Sequence, residues 1–299
     1  SAISISNSGD ISANASINAA GINAFSTFGD VTITNSGDLD IYSEGGAGAA
    51  GITATSFISG DATVTNSGRI AAASAYASAI GISVSSKYAA SIVNSGDITP
   101  DSDAGNATGL YVNASKYGTA SVINTGAITA TGYDYATGID ANSYNGDIIV
   151  TNGTKAITVT ATGDYATAVG IKAASYYGDI GIASNGSITA TGYSATGINA
   201  SFISPYYACY AECGGTMDIS VVTGTASNIK ANGVETAFGI NAEATGSVSV
   251  SNGGSIKATA SGDGAFSVGI RTESGYATSI TNSGSIDAAG DDAWAIVSY

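Results

Sequence analysis

Apolar and polar side chains alternate in short bursts along this chain. Examples are "DVTITN" at 30–35, "DATVTN" at 61–66, "DIIVTN" at 147–152 and "SVSVSN" at 247–252. Alternation over about five positions is the pattern of a strand with one face buried. Shorter relatives are "ASIVN" (90–94), "ASVIN" (120–124) and "TSITN" (278–282), again ending in Asn. After the Asn comes a Gly-containing turn and then an aliphatic residue, as in "SNSGDI" (6–11), "TNSGDL" (34–39), "TNSGRI" (65–70), "VNSGDI" (93–98), "INTGAI" (123–128) and "TNSGSI" (281–286). A further phrase runs in phase with these: "AGINA" (20–24), "AGITA" (50–54), "TGIDA" (137–141), "VGIKA" (169–173), "FGINA" (238–242) and "VGIRT" (268–272). In its last copy, "WAIVS" (294–298), Ala295 stands where the others have Gly.

The aliphatic that follows each turn marks the period. It falls at Ile11, Leu39, Ile70, Ile98, Ile128, Ile157, Ile188, Ile229, Ile256 and Ile286, in steps of 27 to 31 residues with a single step of 41. Ser/Thr/Gly/Asp clusters between the phrases supply turn chemistry. Three short strands per repeat of about 30 residues, in about ten copies, predict an all-β fold, a β-solenoid (β-helix). The reading is one domain, 1–299, with a loop insertion at about 201–217 that accounts for the long step. Val31, Ile33, Ile11, Ala13, Ile22 and Ala24 and their equivalents are the expected inward residues. The repeated Asn is expected to stack as an amide ladder at a corner and to take up left-handed backbone there. The Gly of the "AGINA" phrase is expected to relieve crowding at another corner.

Composition narrows the function classes. With 8 Lys+Arg against 23 Asp+Glu, the net charge is −15. Nucleic acid is therefore not expected as a partner, since phosphate binding draws on Lys and Arg. No apolar run approaches the roughly 20 residues of a membrane-spanning helix, so no transmembrane segment is expected. The chain has no His, which excludes a Ser-His-Asp or Cys-His catalytic arrangement. No acidic pair stands out from the repeating background as a glycosidase pair would. The expectation is that the protein is not an enzyme. Cys209 and Cys213 are too few soft donors for a zinc site without His, and are read as a possible local disulfide. No metal site or cofactor is expected. Asp10, Asp38, Asp97, Asp30, Asp61, Asp147 and Asp179 recur at turns, read as solvated, with weak Ca²⁺ binding as the alternative.

Two departures from the bare repeat are candidate binding surfaces. The 201–217 insertion, "SFISPYYACYAECGGTM", carries Tyr206, Tyr207 and Tyr210. Insertions in solenoids emerge as loops on one face, and exposed tyrosines serve as anchors there. An aromatic also recurs about six residues beyond the third-phrase aliphatic, at Phe28, Tyr88, Tyr117, Tyr144, Tyr177 and Tyr276. In register these would line one edge, either as a stabilising ladder or as a platform for glycans.

Degenerate units of the form "TNSGSI…ATGI.A" resemble those in autotransporter passenger regions and other large bacterial surface proteins. The resemblance covers nearly the whole chain and lies in repeat style rather than in a site motif. It implies an extracellular or cell-surface location and a role as fibre, surface layer or adhesin. The two extremities add a further expectation. Residues 293–299 read as a third-phrase strand, and residues 1–8 supply the strand that should follow it. Neither stretch has a charged side chain or Pro to block an open sheet edge. Ala2, Ile3 and Ile5 at one face and Trp294, Ile296, Val297 and Tyr299 at the other are the expected assembly interface. The leading expectation is a structural protein stacking head to tail with itself into a filament. The alternative is an adhesin or glycan-binding rod that meets a host surface through the 201–217 loop or the tyrosine edge.

Overall fold

The computed structural model describes residues 1–202 and 217–299. The first repeat folds as β1 (Ile3–Asn7), β2 (Ile11–Ala15) and β3 (Asn18–Phe28), and the same three-strand coil recurs along the chain. Each strand pairs in parallel with its counterpart one coil away, giving three ten-stranded parallel sheets among the described residues. The chain is a β-solenoid of the expected class. At about 4.8 Å per strand the ten coils stack to a rod on the order of 48 Å tall.

Register follows the repeat residue for residue. Ile5 lies opposite Ile33, and Asn7 opposite Asn35. Ile11 lies opposite Leu39, and Ile22 opposite Ile52. The reason is the period-2 pleat: a slip of one residue would turn every Ile and Val out of the core. The inward columns form one continuous hydrophobic core that includes Val31, Ile33, Leu39, Ile41, Ile52 and Ile70, all buried. Ile22 and Ala24 are buried too, whereas Ile11 and Ala13, in the first coil, are only half-buried. Ala fills many inward sites because three walls converge on a narrow interior, where larger residues would overpack.

The Asn ladder forms, but not as left-handed corner backbone: among the described residues no side-chain-bearing residue has a positive φ. Each Asn instead ends a first-sheet strand with its amide turned into the core. Asn35 Nδ2 donates to Asn66 Oδ1 at 2.8 Å and to the carbonyl of Gly37 at 2.8 Å. The same pair of bonds repeats at Asn66 and Asn94. Asn124 continues the run onto Asn152 at 3.0 Å. Ser184 and Thr223 then interrupt the amides, and the ladder resumes from Asn252 to Asn282. Every rung points the same way, with the donor in one coil and the acceptor in the next. Buried amides satisfied at both ends cost little and fix the register.

The glycine column also sits differently from expectation. Gly21, Gly51, Gly81 and their successors lie inside third-sheet strands rather than at a corner. A Cβ on Gly269 would lie 2.6 Å from the carbonyl oxygen of the residue above it and still nearer to the Cγ2 of Ile286. The same holds from Gly51 onward, where each Gly meets the branched Ile of the second-sheet strand one coil up, while Gly21 faces Leu39. Glycine is there because backbone and isoleucine come too close for any side chain.

Three substitutions test this account. Asn94→Ala removes a buried rung and strands the amides on either side, so it should cost about 3 kcal/mol in urea unfolding. Asn7→Ala, at an exposed end of the ladder, should cost less than about 1 kcal/mol. Ser267 occupies a buried column elsewhere filled by Ala, and its hydroxyl has no hydrogen-bond partner. Ser267→Ala should therefore stabilise the protein by about 1 kcal/mol in the same assay.

Candidate functional surfaces

Among the described residues no enclosed cavity stands out, and the polar and aromatic side chains lie on the outer faces, corners and two end faces. Outward positions of the third sheet carry one column of mixed polarity. Lys172 Nζ sits 3.3 Å from Asp140 of the coil below, and Arg271 reaches Glu273 at 2.7 Å and Asn241 at 2.9 Å. Asn241 in turn donates to Asn199 at 3.0 Å. The Lys172–Asp140, Arg271–Asn241 and Asn241–Asn199 contacts cross between coils and continue the backbone pairing into the side chains, while Arg271–Glu273 lies within one strand.

The recurring aspartates have a defined structural task. Asp10 Oδ1 accepts the N–H of Asp38 at 2.9 Å, and Asp38 accepts that of Arg69. At the neighbouring corner Asp30 accepts from Asp61, and Asp61 from Ala89. Asp147, Asp179 and Asp218 form a run of the same kind, ending on the N–H of Ser247 at 2.7 Å. Each carboxylate caps the turn of the next coil, where an N–H would otherwise lack a strand partner. Asp97 does likewise for Ala127. These residues are exposed, as a solvated turn requires, yet one oxygen of each is committed. Among the described residues no group of three His, Cys, Asp or Glu converges to share an ion.

The tyrosine edge is broken into clusters. Tyr88 and Tyr117 stack with ring centroids 6.1 Å apart, and Lys116 lies over the Tyr117 ring. Tyr144 packs against both Tyr176 and Tyr177, at 5.0 and 5.4 Å. Other aromatic contacts were not anticipated from the sequence. Phe25 pairs with Phe57, Tyr165 meets Tyr193 edge-on, and Phe238, Phe266 and Trp294 form a T-shaped series. Phe238 and Trp294 open "FGINA" and "WAIVS", but in the coil between them that position is Val268 and the aromatic Phe266 stands two residues earlier, so the phrases alone do not show the series. Tyr193 and Asp164 border a surface groove of about 560 Å³ with Thr191, Asn232 and Val234. Tyr206, Tyr207, Tyr210, Cys209 and Cys213 lie outside the described residues.

At the end faces, Ile3 and Ile5 are half-buried and Ala2 is exposed. At the opposite face Ile296 is 45% exposed, whereas Ile270, one coil below in the same column, is fully buried. Trp294 is also 45% exposed and lies on the flank, its ring against Phe266 rather than on the end face itself. Val297 is half-buried and Tyr299 exposed, with Arg271 beside the Tyr299 ring.

One carboxylate is held against its preference. Burial and the neighbouring charge of Asp103 raise the Asp101 pKa from its ordinary value. An acid with a raised native pKa destabilises the fold once ionised, so the stability present at low pH is lost as pH rises through that pKa. Asp101→Asn should therefore raise the melting temperature at pH 7, and the difference should vanish at pH 3.

No family model matches the chain, and no curated protein or solved structure shows significant similarity to it.

Proposed function

We propose that the chain is a non-enzymatic structural rod, exposed on a bacterial surface, that lengthens when the first coil of one copy docks on the tenth coil of another. The observation that carries this reading is the polarity of the asparagine ladder. Asn7 Nδ2 donates to Asn35 in the next coil, and among the described residues no amide donates to Asn7 Oδ1. Asn282 accepts from Asn252 and spends one amide hydrogen on Gly284, leaving the other to point outward. One face thus offers an acceptor and the other a donor, at the same place in the coil.

The surrounding residues fit the same stack. Ile280 and Ile286 at one face would cover Ile5 and Ile11 at the other, as their counterparts cover each other inside the rod. Burying such apolar, hydrogen-bonding faces is favourable in the way that adding a repeat to a solenoid is favourable, and a head-to-tail contact that does not close on itself gives a filament. The surface location rests on the resemblance of the repeats to passenger regions.

A second reading keeps the rod but assigns its work to the flank. Clustered tyrosines favour it, with Tyr88, Tyr117 and Tyr144 exposed and Tyr177 half-buried, because sugar rings stack on aromatic faces. In that case the protein is an adhesin or glycan-binding rod, and length is only a means of reach.

Electron microscopy and sedimentation of the 299-residue chain across a concentration series separate the two. Unbranched particles of constant width that lengthen with concentration, in steps of about 48 Å, are expected. Single rods of one length at every concentration would sink the end-to-end reading and leave the aromatic flank as the functional surface.

A further inference from the structure

At the junction just described the isoleucine columns match, with Ile280 over Ile5, Ile286 over Ile11 and Ile296 over Ile22, whereas Thr278 falls against Ile3, Ser298 against Ala24, and one tight backbone column is broken. In the third sheet the glycine column runs Gly21, Gly51, Gly81, Gly109, Gly138, Gly170, Gly197, Gly239 and Gly269, and its tenth member is Ala295. Ala295 keeps the column's backbone path. Its flanking residues Trp294 and Ile296 pair with Val268 and Ile270, and its carbonyl sits over Gly269 as each glycine carbonyl sits over the one below. Its methyl therefore points where the others have only hydrogen, toward whatever coil lies above.

Inside the rod that space is taken twice. The Cβ direction at Gly239 meets the Gly269 oxygen at 2.5 Å and, nearer still, the Cγ2 of Ile256. In a head-to-tail contact the corresponding groups are the Gly21 carbonyl and the branched methyl of Ile11 of the second copy. One position inside the rod shows how the second obstacle depends on side-chain branching. Above Gly21 the facing residue is Leu39, whose nearest methyl is 3.3 Å away instead, with the Cδ1 of Ile41 at 3.1 Å. Leucine has no methyl on Cβ, so it leaves part of the space open.

We propose that Ala295 is a brake on end-to-end joining: its methyl forces each new junction to open by a fraction of a coil spacing, so that junctions are weaker than any interface inside the rod. The occupant of the face is a second copy of this chain, argued from the complementary amides of Asn282 and Asn7 and from the matching Ile columns. The inference rests on the reading that these two faces meet. Its physical root is overpacking, which a close-packed parallel stack absorbs poorly. The outcome is a rod whose length responds to concentration instead of growing without limit.

The test compares half-assembly concentrations by sedimentation for the parent chain, Ala295→Gly, Ala295→Val and Ile11→Leu. Residue 295 is exposed, so none of its substitutions disturbs a packed core, and circular dichroism with thermal melting verifies that each variant folds. Ala295→Gly should assemble at a concentration about tenfold lower, the ratio overpacking of this kind commonly produces. Ile11→Leu should move it part of the way, and Ala295→Val should move it in the opposite direction. If the parent assembles and Ala295→Gly is unchanged, the brake is overturned while end-to-end joining stands. If only Ala295→Gly assembles, the brake is supported and lengthening of the parent chain is overturned. If no variant assembles at any concentration, both ideas fall.

Discussion

Everything in this rod depends on backbone pairing between residues one repeat apart. The strands of a coil do not pair with one another; each pairs with its copies above and below. A lone coil can therefore neither satisfy its N–H and C=O groups nor cover its aliphatics. Once the stack exists, any residue type that suits one coil suits the next, and identical side chains are brought into columns. The columns then contribute what single residues cannot. Buried asparagines share their amides along an unbroken line from Asn7 to Asn152. Aspartates at two corners cap turns that belong to their neighbours.

That dependence explains why charge is tolerable. Stacking like charges at strand spacing is unfavourable by itself. Here each carboxylate in the Asp147, Asp179 and Asp218 run accepts an N–H from the coil above, which offsets part of the repulsion locally. On the flat faces some opposite charges meet across coils, as at Asp140 and Lys172 or Glu243 and Arg271, although Lys230 lies opposite Lys257 and Glu243 opposite Glu273. The net charge of −15 is thus spread along corners exposed to counterions.

The fold was legible from the sequence because its period appears in three separate phrases, each with a strand's alternation. Strand phase, inward residues and the stacking of Asn35 on Asn66 all follow from that period. What stayed hidden depends on distances between neighbouring coils. The "AGINA" glycine looks like a corner residue until the branched methyl of an isoleucine from another sheet is seen against it. The turn aspartates look merely solvated, because an acceptor role toward a residue about 30 positions on leaves no local trace. The aromatic edge was only half legible: Tyr88 and Tyr117 meet as their spacing implies, but Trp294 belongs to a series with Phe266 on the flank. The 201–217 insertion has no repeat to phase it, and sequence alone identifies its tyrosines without placing them.

The direction of the hydrogen bonds has a mechanical consequence. In the three sheets they run along the rod axis, so a pull between the two ends loads successive coils in series. The outermost coil, held on one side only, parts first. Each detached coil releases about 30 residues, which extend to roughly 100 Å of chain at about 3.4 Å per residue. The rod then pays out slack in equal increments while the remaining coils keep their core, much as a rope uncoils from a drum.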